Sequence, residues 1–105
     1  MKSDWVIVRS ASAGVFFGKL NNVEATPDGN SIQVTLKKSR RLWYWAGAAT
    51  LSELANKGVG KPSECKFPAP IQGNHVVLGV IEVIQVTPEA KKSIDSVAVW
   101  SENND

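Results

Sequence analysis

A strand pattern that runs straight into a cluster of basic residues most constrains how this 105-residue chain can fold. Ile32–Leu36 alternates apolar and polar residues, which is the period of a strand with one face in a core. Four cations follow within five positions: Lys37, Lys38, Arg40 and Arg41. Continued alternation would send Lys38 and Arg40 into the core, where unpaired charges are costly. We therefore predict a bulge or turn near Lys38–Arg41.

Aromatic residues follow the basic cluster and resume an extended pattern. Trp43 and Trp45 would share one face of this segment, and Leu42 and Tyr44 would share the other. Indole rings stack on bases, and arginine can bind phosphate with two parallel hydrogen bonds. The combination favours a ligand that has phosphates and flat rings. The alternative is that the tryptophans pack the core and edges of a small domain, while the cations cover a solvated strand end.

A helix is predicted directly after this segment. Thr50 and Glu53 have the spacing of a capping box, in which the Thr50 hydroxyl accepts from the Glu53 amide. Lys57 falls in the last turn and Gly58 suits the position after it. Small residues would also allow a start at Ala48. The amino terminus of this helix, with free amides and the positive end of the helix dipole, favours an anion.

A loop of small residues is a second, weaker candidate for phosphate binding. Ser10–Gly14 supplies hydroxyls and an unhindered backbone beside Arg9, although an ordinary hairpin turn has the same composition. In this hypothesis Arg40 and Arg41 clamp phosphate and the two tryptophans stack on bases. The candidate ligand-binding residues are Arg9, Ser12, Arg40, Arg41, Trp43, Trp45 and Thr50.

The amino-terminal half is predicted to form an antiparallel meander. Trp5–Arg9 and Val15–Leu20 have strand patterns, and the second extends as far as Glu24. Thr26–Asn30 then contains a proline that presets one turn dihedral and a glycine that supplies a positive one. This turn joins the second strand to Ser31–Leu36 as a hairpin.

The carboxyl-terminal half begins with a long loop. Gly58–Gly73 is rich in glycine and proline, and loops of this length are usually functional or held by their own side chains, here Phe67 and Ile71. His75–Thr87 is the most apolar run. Because both of its faces are hydrophobic, it is predicted to be a central or doubly covered strand.

A second helix and a short apolar segment complete the predicted fold. Thr87 is placed to cap a helix that has proline in its first turn and runs to Ile94 or Asp95. Val97–Trp100 would pair with a sheet edge or dock onto a neighbouring subunit. Trp100 is a candidate for such a subunit contact.

Composition limits the classes of protein to consider. A length of 105 residues and 43% hydrophobic residues predict a single domain over residues 1–105. One cysteine, Cys65, leaves no internal disulfide, and with His75 as the single histidine no zinc cluster is expected. No signal peptide or membrane-spanning run is visible, so we expect a cytoplasmic protein with no metal, cofactor or membrane partner.

These patterns together predict an α+β fold that is dominated by strands. We expect a small barrel-like or meander sheet of about five strands, with two short helices. The apolar content and the four tryptophans exceed what so small a chain easily buries. A homo-oligomer, either a dimer or a tetramer, is therefore expected.

Several strings of the sequence form a distinctive set. They are VIVRSASAGVFFGKL (Val6–Leu20), RRLWYWAGAATLSELA (Arg40–Ala55), ECKFP (Glu64–Pro68), VIEVIQVTPEAKKSI (Val80–Ile94) and VAVW (Val97–Trp100). This set resembles a family of small, mostly phage-encoded proteins that carry a domain of unknown function. The resemblance implies a phage or prophage protein that is expressed in the bacterial cytosol. The family in turn resembles oligomeric sponges that sequester the cyclic nucleotide signals of bacterial immunity.

A fold-level resemblance is more distant. The strand–turn–strand over residues 18–36 is similar to that of Sm-like small barrels, which bind RNA as rings. The helix that usually opens such barrels has no counterpart in this sequence.

Three functions follow as hypotheses. The first is a non-enzymatic homo-oligomer that sequesters a cyclic nucleotide and so counters anti-phage defence. The second is a small-barrel nucleic-acid-binding protein, whose affinity would fall steeply with salt. The third is a protein-interaction inhibitor that docks its aromatic cluster on a host factor. An enzyme is the least favoured class, because the acidic residues are scattered and form no catalytic motif.

Overall fold

The computed structural model describes residues 4–101. Its elements are β1 (Trp5–Ser10), β2 (Gly14–Ala25), β3 (Ile32–Arg41), α1 (Leu51–Lys57), a 3-10 turn (Pro62–Glu64), β4 (His75–Val77), β5 (Val80–Gln85) and α2 (Pro88–Asp95). Within the described residues this confirms a strand-dominated α+β fold with five strands in one sheet and two short helices.

The sheet is antiparallel and strongly curved. Its strand order is β4-β3-β2-β1-β5, so β4 and β5 follow each other in sequence yet occupy opposite edges. Four strand spacings in a flat sheet would separate these edges by about 19 Å. The three Cα steps from Val77 to Val80 reach at most about 11 Å. The sheet must therefore curl, although it is not closed, since within residues 4–101 β4 pairs with β3 and β5 with β1.

The predicted single strand over His75–Thr87 is wrong. Gly79 has φ +64°, which breaks the run between β4 and β5. Ser10 fixes the break, because its Oγ donates to Leu78 O at 2.6 Å while Ala11 N donates to Gly79 O at 3.0 Å. The continuous apolar run His75–Thr87 therefore forms two strands at the edges of the sheet, and not one central strand.

Both faces of the sheet carry a hydrophobic cluster. The concave face holds Val6, Val8, Phe16, Val34, Leu36, Val77 and Val80. On the convex face, a second cluster joins the sheet to both helices and the long loop. Its buried members are Ile7, Phe17, Leu42, Leu54, Ala55, Val59, Cys65, Phe67, Val86, Ala90, Ile94 and Val97. Adjacent residues such as Phe16 and Phe17 thus serve opposite faces, as strand geometry requires.

The bulge predicted in the basic stretch is confirmed. The register between β2 and β3 shifts between the pairs Phe17–Arg40 and Lys19–Lys37, and Lys38 has φ +53°. Gly18 lies opposite the bulge, where an added Cβ would come within 3.1 Å of Ser39 Cα. Because Gly18 has no side chain, β3 can approach β2 closely at the bulge, where the inward and outward order of the β3 side chains changes by one residue.

The helix starts follow the capping prediction. Thr50 Oγ1 accepts from Glu53 N at 3.2 Å, and Glu53 Oε1 accepts from Ala49 N at 2.9 Å. Thr87 Oγ1 accepts from Ala90 N at 3.0 Å at the start of α2. Within residues 4–101, neither helix is both long enough and apolar enough to cross a bilayer.

The long loop is anchored differently from the prediction. Phe67 is fully buried, as predicted, whereas Ile71 is 37% exposed and contributes its backbone, with Ile71 N donating to Ser39 O. The Val97–Trp100 segment pairs with this loop instead of a strand of the main sheet. Val99 bridges Phe67 in parallel, and Trp100 N donates to Phe67 O at 3.0 Å.

Substitution of two glycines with positive φ distinguishes the cost of backbone strain from the cost of a steric clash. Gly58 ends α1 at φ +83°, where an added Cβ would lie 2.4 Å from Ser93 Oγ, whereas Gly29 has φ +74° and open space. Gly29→Ala should lower the free energy of unfolding by about 1–2 kcal/mol through backbone strain alone. Gly58→Ala should lose about 1–3 kcal/mol more, because the new methyl group clashes with α2. Urea unfolding of both variants tests this, and equal losses would contradict the close packing of α1 on α2.

Candidate functional site

The two adjacent arginines at the end of β3 point to opposite faces of the sheet. Arg40 pairs with Phe17 on the convex face, and Arg41 pairs with Phe16 on the concave face. The guanidinium of each lies over a neighbouring ring, Arg40 at 5.5 Å from the centroid of Phe67 and Arg41 at 4.5 Å from that of Phe16. Strand alternation thus gives two identical residues different surroundings.

Arg40 is buried in a cage of backbone carbonyls. It is 5% exposed. Its Nε donates to Pro68 O at 2.9 Å and its Nη1 to Ile94 O at 3.2 Å. Its Nη2 donates to Phe67 O at 3.1 Å and to Val97 O at 2.7 Å. The guanidinium therefore ties β3 to the long loop and to the end of α2.

The cage corrects one sequence-based prediction. Burial lowers the pKa of Arg40, and the field of Asp95 opposes that shift. Because the group is enclosed and donates four hydrogen bonds to described residues, it is not available as a phosphate clamp. Local sequence did not indicate this cage, because its carbonyls belong to segments about 27 to 57 residues away in sequence.

Arg41 lines an open groove with two of the predicted aromatic residues. The groove has a volume of about 530 Å³ and is formed by Gly14, Val15, Arg41, Leu42, Trp43 and Trp45. Arg41 Nη1 donates to Ala13 O at 3.0 Å in the β1–β2 hairpin. The guanidinium is thus held between the hairpin and Phe16 while its side chain remains exposed.

The aromatic residues divide between the groove and the core, partly as predicted. Trp43 and Trp45 line the same groove, and Leu42 is buried in the convex-face cluster. Trp43 is 62% exposed and meets Trp100 edge-on, with ring centroids 5.1 Å apart. Trp45 is half-buried against the convex-face cluster, whereas Tyr44 is exposed. The groove therefore offers one exposed indole and one that is packed against the core.

The remaining predicted ligand residues lie outside the lining of this groove. Arg9 forms an ion pair with Glu82, with Nε and Oε1 3.3 Å apart. Ser12 is exposed at the hairpin tip, and the Thr50 hydroxyl accepts the capping hydrogen bond of α1. In the hairpin predicted as a phosphate cradle, the Ser10 hydroxyl is already engaged with Leu78 O and Ala13 N.

His75 is connected to the groove through Arg41, a link that sequence reasoning missed. His75 Nδ1 lies 2.9 Å from Ser39 Oγ, and the imidazole meets Phe16 edge-on at 4.7 Å. Burial lowers the pKa of His75, and the nearby charge of Arg41 lowers it further. The bulge places Ser39 on the concave face, so a local strand pattern could not have revealed this contact.

Cys65 is a buried free cysteine. Ala46 N donates to its sulfur at 3.4 Å. Among the described residues, no three His, Cys, Asp or Glu side chains lie together in a way that could hold a metal ion.

The chain belongs to a protein family defined by a domain of unknown function, DUF6948, whose sequence model matches residues 3–94. Comparison with curated proteins and with solved structures gives no match.

Removal of the Arg40 guanidinium should destabilise the fold. Phe67 O also accepts from Trp100 N and Ile94 O from Val97 N, so the loss falls mainly on Pro68 O and Val97 O. Because one of these hydrogen bonds is buried and the other is partly buried, Arg40→Met should lower the free energy of unfolding by about 3 kcal/mol. Arg41→Met, at the adjacent exposed position, should cost less than about 1 kcal/mol. Equal losses in urea unfolding would contradict the carbonyl cage.

The lowered pKa of His75 predicts a pH dependence of stability. The unfolded chain takes up a proton as the pH falls through 6.5, the ordinary value, while folded His75 stays neutral to a lower pH. The free energy of unfolding should therefore be constant above this value and should fall below it. His75→Gln should flatten the profile between about pH 5.5 and 7.5, where carboxylates do not titrate. A profile that keeps its slope in the variant would assign the effect to another group.

Proposed function

We propose that the protein binds an anionic nucleotide in the groove of Arg41, Trp43 and Trp45 and holds it without turnover. The observation that carries this proposal is the convergence of an exposed indole, a second indole and a fixed guanidinium on one groove of about 530 Å³. This volume lies in the range of about 300–1,000 Å³ that is typical of small-molecule sites.

Arg41 supplies the contact with phosphate. Its hydrogen bond to Ala13 O and its position over Phe16 hold the guanidinium before a ligand arrives. A fixed side chain loses less conformational entropy on binding, so its charge-assisted hydrogen bonds contribute more to affinity.

The tryptophans supply the contact with bases. Stacking of a base on an aromatic side chain is worth roughly 1–3 kcal/mol in single-strand binders. Trp43 is exposed in the free protein, so a stacked base would remove its indole from water. Two indoles in one groove suit a ligand with two bases, which is why a cyclic dinucleotide is the form of nucleotide that we propose.

The biological role follows from this ligand and from the sequence resemblance described above. We place the protein in the bacterial cytoplasm during phage infection, where it sequesters a cyclic nucleotide signal and so counters anti-phage defence. Binding without chemistry is supported by the positions of the single cysteine and the single histidine. Cys65 is buried, and the half-buried His75 contacts Ser39 and Phe16.

A homo-oligomer is part of this proposal. Exposed apolar residues cluster on and between the two edge strands, namely Val76, Leu78, Ile81 and Val83. Edge strands with exposed apolar side chains tend to pair with another chain unless they are protected. Light scattering of the wild type and of Ile81→Lys measures this directly: the variant should have the lower mass, and a monomeric wild type would remove the oligomer from the proposal.

His75 provides a built-in sensor for the proposed ligand. It is the single histidine, and the charge of Arg41 contributes to its lowered pKa. A phosphate bound to Arg41 would offset that charge, so the pKa of His75 should rise when a cyclic dinucleotide saturates the protein. NMR titration of the imidazole Cε1 proton with and without ligand measures the change.

Two variants control this experiment. Arg41→Gln should itself raise the pKa of His75 and abolish the response to ligand. Arg9→Gln, which removes a cation that the structure places outside the groove lining, should leave the response unchanged. Absence of binding to cyclic dinucleotides, or binding that leaves the His75 titration unchanged in the wild type, would contradict the proposed site.

Titration with short single-stranded oligonucleotides under the same conditions distinguishes the proposed binding of a cyclic dinucleotide from the alternative of nucleic-acid binding. That alternative requires affinity that rises with strand length and falls steeply with salt.

A further inference from the structure

A second cavity lies on the convex face, behind the basic bulge. It has a volume of about 440 Å³ and is lined by Trp5, Phe17, Lys38, Arg40, Pro70, Lys91, Asp95, Val97 and Val99. Within the described residues it has no lining residue in common with the groove of Arg41. Most of the lining is apolar and a few charged groups converge on it, which is the usual composition of a ligand site.

The charges in this cavity do not balance. Three cations line it: Lys38 at the bulge of β3, Arg40 further along the same strand, and Lys91 in α2. Asp95 is the one carboxylate in the lining, and it already pairs with Lys91, with Nζ and Oδ2 2.6 Å apart. The lining therefore has a net charge of +2. Arg40 already donates to its carbonyl cage and lies in the field of Asp95, whereas Lys38 is exposed.

The backbone at Lys38 is strained in a way that serves this cavity. In one common class of bulge the first residue has positive φ and is usually glycine. Lys38 occupies such a conformation at φ +53°, which is unfavourable for a long side chain. Strain of this kind tends to persist at functional sites, and here the strained residue lines the cavity.

We infer that this cavity binds a phosphomonoester that has a small apolar or aromatic body. A phosphomonoester carries about −1.5 to −2 charges at neutral pH, which complements the net charge of +2 on the cavity lining. Lys38 would contact the phosphate as a mobile point charge, and Arg40 would add a fixed positive field from the cavity wall. The apolar body would lie against Trp5 and the valines of the carboxyl-terminal segment. This inference is independent of the nucleotide groove, since the two cavities use different residues.

Phenyl phosphate is a suitable probe, with inorganic phosphate as the probe that lacks an apolar body. Isothermal titration calorimetry should show tighter binding of phenyl phosphate to the wild type. Lys38→Gln should weaken this binding about tenfold, the value of one charge-assisted hydrogen bond. Lys37→Gln, a neighbouring exposed lysine outside the lining, should change it by less than about twofold, because surface charges act weakly at a distance. Arg41→Gln should retain it, which separates this site from the proposed nucleotide site.

Lys38→Gly distinguishes a ligand role from a structural one. Glycine adopts positive φ without strain, so this variant should have a higher Tm than the wild type while it loses phenyl phosphate binding. A lower Tm would show that Lys38 stabilises the fold, and the inference would fail. Equal weakening by Lys38→Gln and Lys37→Gln, or equal affinity for phenyl phosphate and inorganic phosphate, would also overturn it.

Discussion

The carbonyl cage around Arg40 is the interaction on which the rest of the molecule depends. The convex face of the sheet is covered by a long loop, a short helix pair and a carboxyl-terminal segment, none of which pairs extensively with the strands in the described structure. One guanidinium donates to the loop at Phe67 and Pro68 and to the end of α2 at Ile94 and Val97. A planar group with five donors in fixed directions can join these segments, whereas a lysine ammonium could not reach all of them. The charge is buried because the carbonyls replace its water.

The bulge at Lys38 makes this arrangement compatible with the strand pattern. If Lys38 were part of a regular ladder, the alternation from Leu36 would put Lys38 and Arg40 on the concave face and Arg41 on the convex face. With the bulge, Ser39 lies inside against His75, Arg40 enters the cage and Arg41 reaches the hairpin. Gly18 admits the bulge from the neighbouring strand. The bulge thus places Arg40 in the carbonyl cage, where it stabilises the fold, and places Arg41 in the groove.

Local features of the sequence predicted the local features of the structure. Thr50 and Thr87 cap the helices because a hydroxyl at the start of a helix has one obvious partner a turn away. The bulge was predictable because two charges could not follow Leu36 into the core. The prediction failed where a contact joined distant segments. No strand pattern reveals that Arg40 meets carbonyls near residues 67 and 97, or that Gly79 sends two halves of one apolar run to opposite sheet edges.

The candidate site shows the same division. Trp43, Trp45 and Arg41 converge, as their neighbouring positions suggested, while Arg9 pairs with Glu82 on another strand and the Thr50 hydroxyl accepts its capping hydrogen bond. A capping hydroxyl and a phosphate-binding hydroxyl have the same sequence signature, so only the fold can separate them. The link from Arg41 through Phe16 to His75 required the three-dimensional arrangement of three strands.

The claim that adjacent arginines have separate roles can be tested in one NMR experiment. The chain has three arginines, so the Nε–H resonances are few and can be assigned by mutation. Solvent exchange of these protons should be slow for Arg40 and fast for Arg41 in the free protein, because only Arg40 is enclosed. Addition of a cyclic dinucleotide should shift and protect the Arg41 resonance and leave Arg40 unchanged. Rapid exchange at Arg40, or a ligand response at Arg40 in place of Arg41, would contradict the account.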